Sequence, residues 1–313
     1  MRNFFRYAEH VAPGYAGRVA NDLWFTAPPR MKELPVPDGG VAFTTLSQGA
    51  EIRGRVWSPS SALRDGCCAT SSGTLGGGGA SSSGGRGTVY LVHGWGGRGA
   101  QFGAMVEPLV EAGYRVVMFD GPSHGDSGVV ARTGPRRTHG LELARALDAV
   151  FDEFGPAEAV IAHSLGTIAT YLDLRFGWLG TERLVLVAPM TDAMSLFDGF
   201  QAALGFGPRT RAAMEAATRD FTGLHVTEFD ARLQATFLDE PLPTLVIHDR
   251  DDRQTPYADA QALASALGAE FVGTEGLGHR KVLRDPEVIK RVVAFVTSGT
   301  AAGDAEEWIE AAG

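Results

Sequence analysis

The sequence predicts an α/β layered fold in which two antiparallel strands precede a repeated βα alternation. Three observations carry the prediction. Short runs rich in Val, Ile and Leu at 88–93, 115–120, 157–163, 183–188 and 244–248 read as strands buried on both faces of a parallel sheet. Between them stand helical periodicities. Leu143, Leu147, Val150 and Phe154 recur at i, i+4, i+7 and i+11, and Val288, Val292 and Phe295 repeat the idea near the C-terminus. Upstream, 41–46 and 51–57 read as the two antiparallel strands.

Taken in order, residues 1–40 form an N-terminal arm. Phe4, Phe5, Val11, Leu23, Trp24 and Phe25 are expected to pack as a helical segment that Pro28-Pro29 ends. Residues 41–298 form the main domain. Within it, 59–87 is rich in Gly and Ser and buries too little apolar surface to offset its ordering entropy, so it is expected to be a flexible loop. Such an insertion is tolerated because closure entropy grows only logarithmically with loop length. Residues 190–240 interrupt the alternation. Leu196, Phe197, Phe200 and Leu204, then Met214, Ala217 and Phe221, stand at helical spacing. They read as a short helical cap over the sheet or as two ordinary packing helices. Residues 299–313 are left as a C-terminal tail.

Composition bounds the function. The 313 residues are 44% hydrophobic and 21% charged, which excludes a disordered, collagen-like or coiled-coil chain. The net charge of −9 and the lack of a basic stripe argue against a nucleic-acid partner and an anionic membrane surface. No apolar run is long enough for a membrane span. Arg6, Glu9 and His10 fall where a signal peptide needs an apolar core, so cytoplasmic residence is expected. Cys67 and Cys68 are adjacent, which suits neither a disulfide framework nor a CxxC metal site.

The chemistry centres on Ala162-His163-Ser164-Leu165-Gly166, between the apolar Val160-Ile161 and the helix-like 167–176. This is the nucleophile elbow G-x-S-x-G with Ala at the first small position. A sharp strand-to-helix turn needs small flanking residues, lifts the Ser164 hydroxyl out of the sheet and aims helix N-terminal amides at the reacting atom. His93-Gly94-Trp95-Gly96-Gly97 closes the 88–92 strand, and its glycines permit close backbone approach. The backbone amides of Trp95 and Leu165 are therefore the expected oxyanion hole, each donor worth roughly 3–4 kcal/mol in enzymes where one was removed. An acid and then a histidine should follow the serine. Asp249, Asp251 and Asp252 compete after the 244–248 strand. The spacing to Pro256 favours Asp252, then Asp251, and the others are expected to cap the helix near Tyr257. His279, in Gly276-Leu277-Gly278-His279, follows the strand-like 270–273 and is the expected base. His93, His124 and His163 precede the acid in the chain, so structural roles are expected for them.

With these pieces the chain resembles the α/β-hydrolase superfamily over roughly 41–298. Asp120-Gly121-Pro122-Ser123-His124-Gly125-Asp126-Ser127 is similar to that family's D-x-x-G-H-G-x-S turn, with Ser123 in place of Gly. The resemblance implies an α/β-hydrolase fold: a mostly parallel eight-stranded sheet flanked by helices, with a cap inserted after the sixth strand. It carries over Ser164 as nucleophile, Asp252 as acid and His279 as base. A serine there argues against the dehalogenase and epoxide-hydrolase branches.

The expected function is hydrolysis of a small or medium carboxylic ester through an acyl-enzyme on Ser164. Trp95, Leu196, Phe197, Phe200 and Leu204 are the expected walls of an apolar acyl pocket. Thioester, amide or carbon–carbon cleavage by the same triad, or a non-catalytic binding protein on this fold, are the alternatives. No cofactor and no metal are expected, since neither HExxH nor a phosphate-binding glycine motif is present. The expected partner is a small-molecule ester, and the sequence leaves oligomeric state open.

Overall fold

The computed structural model describes residues 1–29, 32, 34–59 and 86–298. Cys67, Cys68, most of the 59–87 loop and the 299–313 tail lie outside the described residues.

Eight strands form one sheet: β1 (Val41–Ser47), β2 (Ala50–Trp57), β3 (Thr88–Val92), β4 (Arg115–Phe119), β5 (Ala157–His163), β6 (Leu184–Val187), β7 (Thr244–Asp249) and β8 (Glu270–Thr274). Their spatial order is β1-β2-β4-β3-β5-β6-β7-β8. Strand β2 runs antiparallel to β1 and β4, and all other neighbours are parallel. A two-residue turn joins β1 to β2. Gln48 (φ 50°) and Gly49 (φ 79°) both take positive φ, as a tight hairpin demands. The strands match the predicted runs to within a residue. The 183–188 run shortens to Leu184–Val187 because the chain turns at Ala188, where φ is 45°.

The apolar runs are explained by two cores. Tyr90, Val92, Val160, Ala162, Leu184, Leu186 and Val246 point to one face of the sheet. There they meet α4 (Gly140–Phe154), α5 (Leu165–Arg175) and α9 (Tyr257–Leu267). Val89, Leu91, Ala159, Ile161, Val185, Val187, Leu245 and Ile247 alternate to the other face, against α3 (Gly103–Glu111) and α11 (Pro286–Thr297). A strand buried on both sides has no polar face to show, so it reads as continuous Val, Ile and Leu.

Three helices leave the sheet between β6 and β7: α6 (Ala193–Leu204), α7 (Pro208–Thr222) and the short α8 (Ala231–Ala235). The N-terminal arm joins them. It consists of two helices, α1 (Arg2–Val11) and α2 (Pro13–Trp24), broken at Ala12, with Pro13 opening α2. Helix α2 lies so close to α7 that a Cβ on Gly17 would stand 2.5 Å from Ala213 Cβ. Thr218 donates to Asn21 Oδ1 at 2.9 Å across that contact. The buried Glu9 carboxylate accepts from the amides of Gly207, Arg209 and Thr210 at 2.9–3.1 Å and so caps α7 from another helix. Burial pulls the Glu9 carboxyl upward, but these bonds outweigh it and hold it below its ordinary value. The predicted arm is corrected in two respects. It ends at Trp24, before Pro28-Pro29, and only Phe5 and Phe25 of its apolar set are buried, while Phe4, Val11 and Leu23 are exposed. No helix among the described residues is long and apolar enough to cross a membrane.

Glu9→Ala is expected to destabilise the protein by about 1–2 kcal/mol in denaturant unfolding at pH 7, the cost of losing a cap. Because Glu9 lies below its unfolded value, its contribution is full above the ordinary carboxylate range and drains away as pH falls below that range. The gap between wild type and variant should therefore close in acid. A gap that persists unchanged at low pH contradicts the capping role.

Candidate active site

Strands β3 and β5 are neighbours although the chain visits β4 between them. Crevices at the carboxyl ends of strands open at such switch points. Here they bring the 93–97 turn beside Ser164. Ser164 stands between β5 and α5 with φ 53° and ψ −121°, a sparsely populated backbone conformation. Close packing permits it. A Cβ on Gly94 would stand 2.6 Å from Ser164 Cβ, and one on Gly166 would stand 2.5 Å from the Val92 carbonyl oxygen. Ala162 is the last but one residue of β5 and wholly buried, with no positive φ to require glycine. Trp95 and Leu165 line one cavity with the serine, and their amides find no acceptor among the described residues.

The 93–99 turn is fastened to the 120–126 turn. Gly121 N donates to His93 Nε2 at 2.8 Å, Gly96 N to His124 Nε2 at 2.9 Å and Gly99 N to Asp120 Oδ1 at 2.7 Å. With Nε2 accepting, the other nitrogen of each ring carries the proton, donating to Gly94 O at 2.8 Å and Pro122 O at 2.9 Å. Burial holds His93 down at about 4, so it stays neutral. Ser123, the departure from the expected glycine, takes φ 63° itself and donates from Oγ to Arg137 O at 3.1 Å.

Asp252 and His279 meet. His279 Nδ1 donates to Asp252 Oδ2 at 2.7 Å, and the same carboxylate accepts from Gln254 N (2.7 Å), Thr255 N (3.2 Å) and Thr255 Oγ1 (3.0 Å). Burial works to raise Asp252, but the His279 bond and the amides outweigh it and hold the carboxyl at about 2. It is charged throughout the neutral range. His163 Nε2 donates to the His279 carbonyl oxygen at 2.8 Å, with the two rings 4.7 Å apart, which draws the β8 loop back toward β5. Ser164 Oγ and His279 Nε2 make no hydrogen bond to each other, and neither has a partner among the described residues.

Asp249 and Asp251 do not cap α9, as expected of them; both lie upstream of Pro256, which is its N-cap. They shape the histidine loop instead. Asp249 accepts from Thr274 Oγ1 (2.7 Å), Leu277 N (3.0 Å) and Gly278 N (2.8 Å), and Asp251 accepts from Gly276 N (3.0 Å). Such uses leave no trace in the spacing of the aspartates.

Ser164, Trp95 and Leu165 open onto a cavity of about 290 Å³. Leu196, Phe197 and Phe200 of α6 line it. Leu204 does not: it ends α6 one turn further along, roughly 6 Å beyond Phe200 at 1.5 Å per residue, and packs against the core. The wall also includes Leu23, Trp24 and Phe25 of the arm, with His139 and Phe229, none of which the sequence placed there. The arm's apolar residues were visible, but nothing local says where an amphipathic arm docks. Trp24 stands edge-on to Phe197 and Phe200, at 4.5 and 5.2 Å. No group of three or more His, Cys, Asp or Glu among the described residues could hold a metal ion.

The sequence matches the model of the alpha/beta hydrolase family over residues 89–292, and the chain belongs to that family. It is 27% identical over 237 residues to a 2-hydroxy-6-oxononadienedioate/2-hydroxy-6-oxononatrienedioate hydrolase of Klebsiella pneumoniae, covering 62% of this chain and 81% of that protein. The Escherichia coli K12 protein of the same name is 38% identical over 117 residues, 35% of this chain and 38% of its own length. Among solved structures, a Pyrococcus furiosus esterase superposes with a TM-score of 0.59 at 16% identity, over 87% of this chain and 97% of that one. The thioesterase domain from the curacin biosynthetic pathway gives 0.54 at 15% identity, over 83% and 99%. These structural likenesses show the α/β-hydrolase fold.

Gly94→Ala is expected to cost about 1–3 kcal/mol in chemical denaturation, because the new methyl must displace the Ser164 elbow. A variant as stable as wild type contradicts the close approach.

Proposed function

We propose that this chain is a serine hydrolase of small or medium carboxylic esters with an apolar acyl group. The observation that carries the reading is the strained Ser164, opening on an apolar cavity that Trp95 and Leu165 also line. Ser164 Oγ attacks the ester carbonyl as its proton passes to His279 Nε2, in a bond that tightens only as the substrate seats. The Trp95 and Leu165 amides hold the oxyanion, and Asp252 holds the imidazolium. The proton goes to the departing alkoxide, leaving an acyl-enzyme. Water activated by His279 then adds to the acyl carbon, and the acid leaves. In this reading, the N-terminal arm with α6 and α7 closes the pocket over the sheet formed by β1 to β8.

Thioester, amide and carbon–carbon cleavage use the same machinery and are the second reading. The related hydrolases are named for dienedioate substrates, which carry two carboxylates. Among the described residues the cavity wall holds no Lys or Arg. A carboxylate buried there without a cation would pay a heavy desolvation penalty. That favours an uncharged ester.

The test is kcat/KM for matched hexanoyl esters, hexanoyl thioesters and an oxo-dienedioate. The ester is expected to lead by tenfold or more, and Asp252→Asn to lower its kcat by about 10³–10⁴-fold. A leading dienedioate overturns the ester reading, and an Asp252→Asn variant with unchanged kcat overturns the role given to the acid.

A further inference from the structure

The cavity wall carries one buried polar side chain that the protein itself does not satisfy. His139 is 6% exposed, lines the cavity and precedes α4 as its N-cap residue without any side-chain capping bond. Nδ1 has no hydrogen-bond partner, and Nε2 lies 3.9 Å from Glu142 Oε1, beyond hydrogen-bond range. Phe25 and Phe221 face the ring edge-on, at 6.3 and 5.3 Å, and offer it no acceptor. The other buried polar side chains on the wall are Thr218 and Thr255, and both hydroxyls donate to protein oxygens, Asn21 Oδ1 and Asp252 Oδ2. Gly140, next in the chain, also lines the cavity. A Cβ there would touch Phe229 at 3.5 Å and Leu165 Cδ1 at 3.6 Å, so this corner lies one side chain from the Leu165 amide. The amides of Gly140 and Leu141, at the start of a 15-residue helix, have no acceptor among the described residues. Unpaired buried polar groups are rare in native proteins and mark places where something else completes them.

We propose that His139, with the first amides of α4, binds an oxygen on the substrate's acyl chain, a keto or hydroxyl group several bonds beyond the scissile carbonyl. The inference rests on the ester reading and narrows it to oxygenated acyl groups. The donors available are amides, which call for an acceptor oxygen. Burial, and after it the charge of Arg132, pushes the imidazole down to about 3, so it is a neutral ring with one N–H and one lone pair. It can donate to a ketone or pair both ways with a hydroxyl. His139 is a specificity residue here and takes no part in proton transfer.

The experiment compares p-nitrophenyl hexanoate with its keto and hydroxy analogues substituted at each carbon from C3 to C6. In wild type, at least one analogue is expected to exceed the parent in kcat/KM by about tenfold, the value of a satisfied buried hydrogen bond. His139→Phe should abolish that ratio, and His139→Gln, which keeps a donor and an acceptor, should restore part of it. Equal rates for parent and every analogue in wild type overturn the inference, and so does a preference that survives His139→Phe. Binding of the corresponding uncharged primary amides, read by tryptophan fluorescence, separates this from failure of the ester reading. If no ester turns over, tighter binding of an oxygenated amide by wild type alone sustains the inference, and equal binding of all amides ends it.

Discussion

The top of the sheet depends on one residue held outside ordinary backbone space. Ser164 at φ 53°, ψ −121° costs about 1–3 kcal/mol in strain, and its surroundings fix it there. Its amide donates to Val187 O at 3.2 Å, and its carbonyl accepts from Thr167 N at 3.0 Å and Met190 N at 3.1 Å. The two glycines that let β3 approach complete the clamp. A serine placed this way opens on the cavity that Trp95 and Leu165 also line. The order β4-β3-β5 makes that possible, because it sets the 93–97 turn next to the elbow.

Buried carboxylates organise the loops around this centre by a common device. Asp120 holds the 99 and 126 amides, Asp249 the 277 and 278 amides, Asp252 the 254 and 255 amides, and Glu9 the start of α7. Each gains several charge-assisted bonds in exchange for its lost hydration. Asp173 on α5 shows the opposite outcome. It is wholly buried and neither oxygen has a partner; burial, with Asp148 and Asp152 nearby, pushes it up to about 9. It is a neutral acid at pH 7, since a carboxylate without partners cannot keep its charge in the interior.

Much of the sheet is legible in the sequence because doubly buried strands must be apolar throughout, and the glycine pattern of the elbow is dictated by backbone contact. The pairing of Asp252 with His279 is legible from chain order and from Pro256. What escapes is long-range docking. Leu23, Trp24 and Phe25 are apolar in the sequence, but Trp24 meets Phe197 through docking of the arm on the helices after β6, where Glu9 bonds amides about 200 residues away. The break at Ala12 carried its signal in Pro13. Leu204 keeps the helical phase of Phe200 yet overruns the cavity, since periodicity gives a face and not a depth. The structural work of Asp249 and Asp251 is equally invisible, because accepting from backbone amides puts no demand on the identity of the residues that donate.

The central claim is that Ser164 is a nucleophile assembled with its base and its oxyanion donors. Reaction of the purified protein with a fluorophosphonate, followed by intact mass, tests it most directly. The account predicts one adduct on wild type and none on Ser164→Ala. Folded wild type that takes up no adduct, or a Ser164→Ala variant that is still labelled, would contradict it.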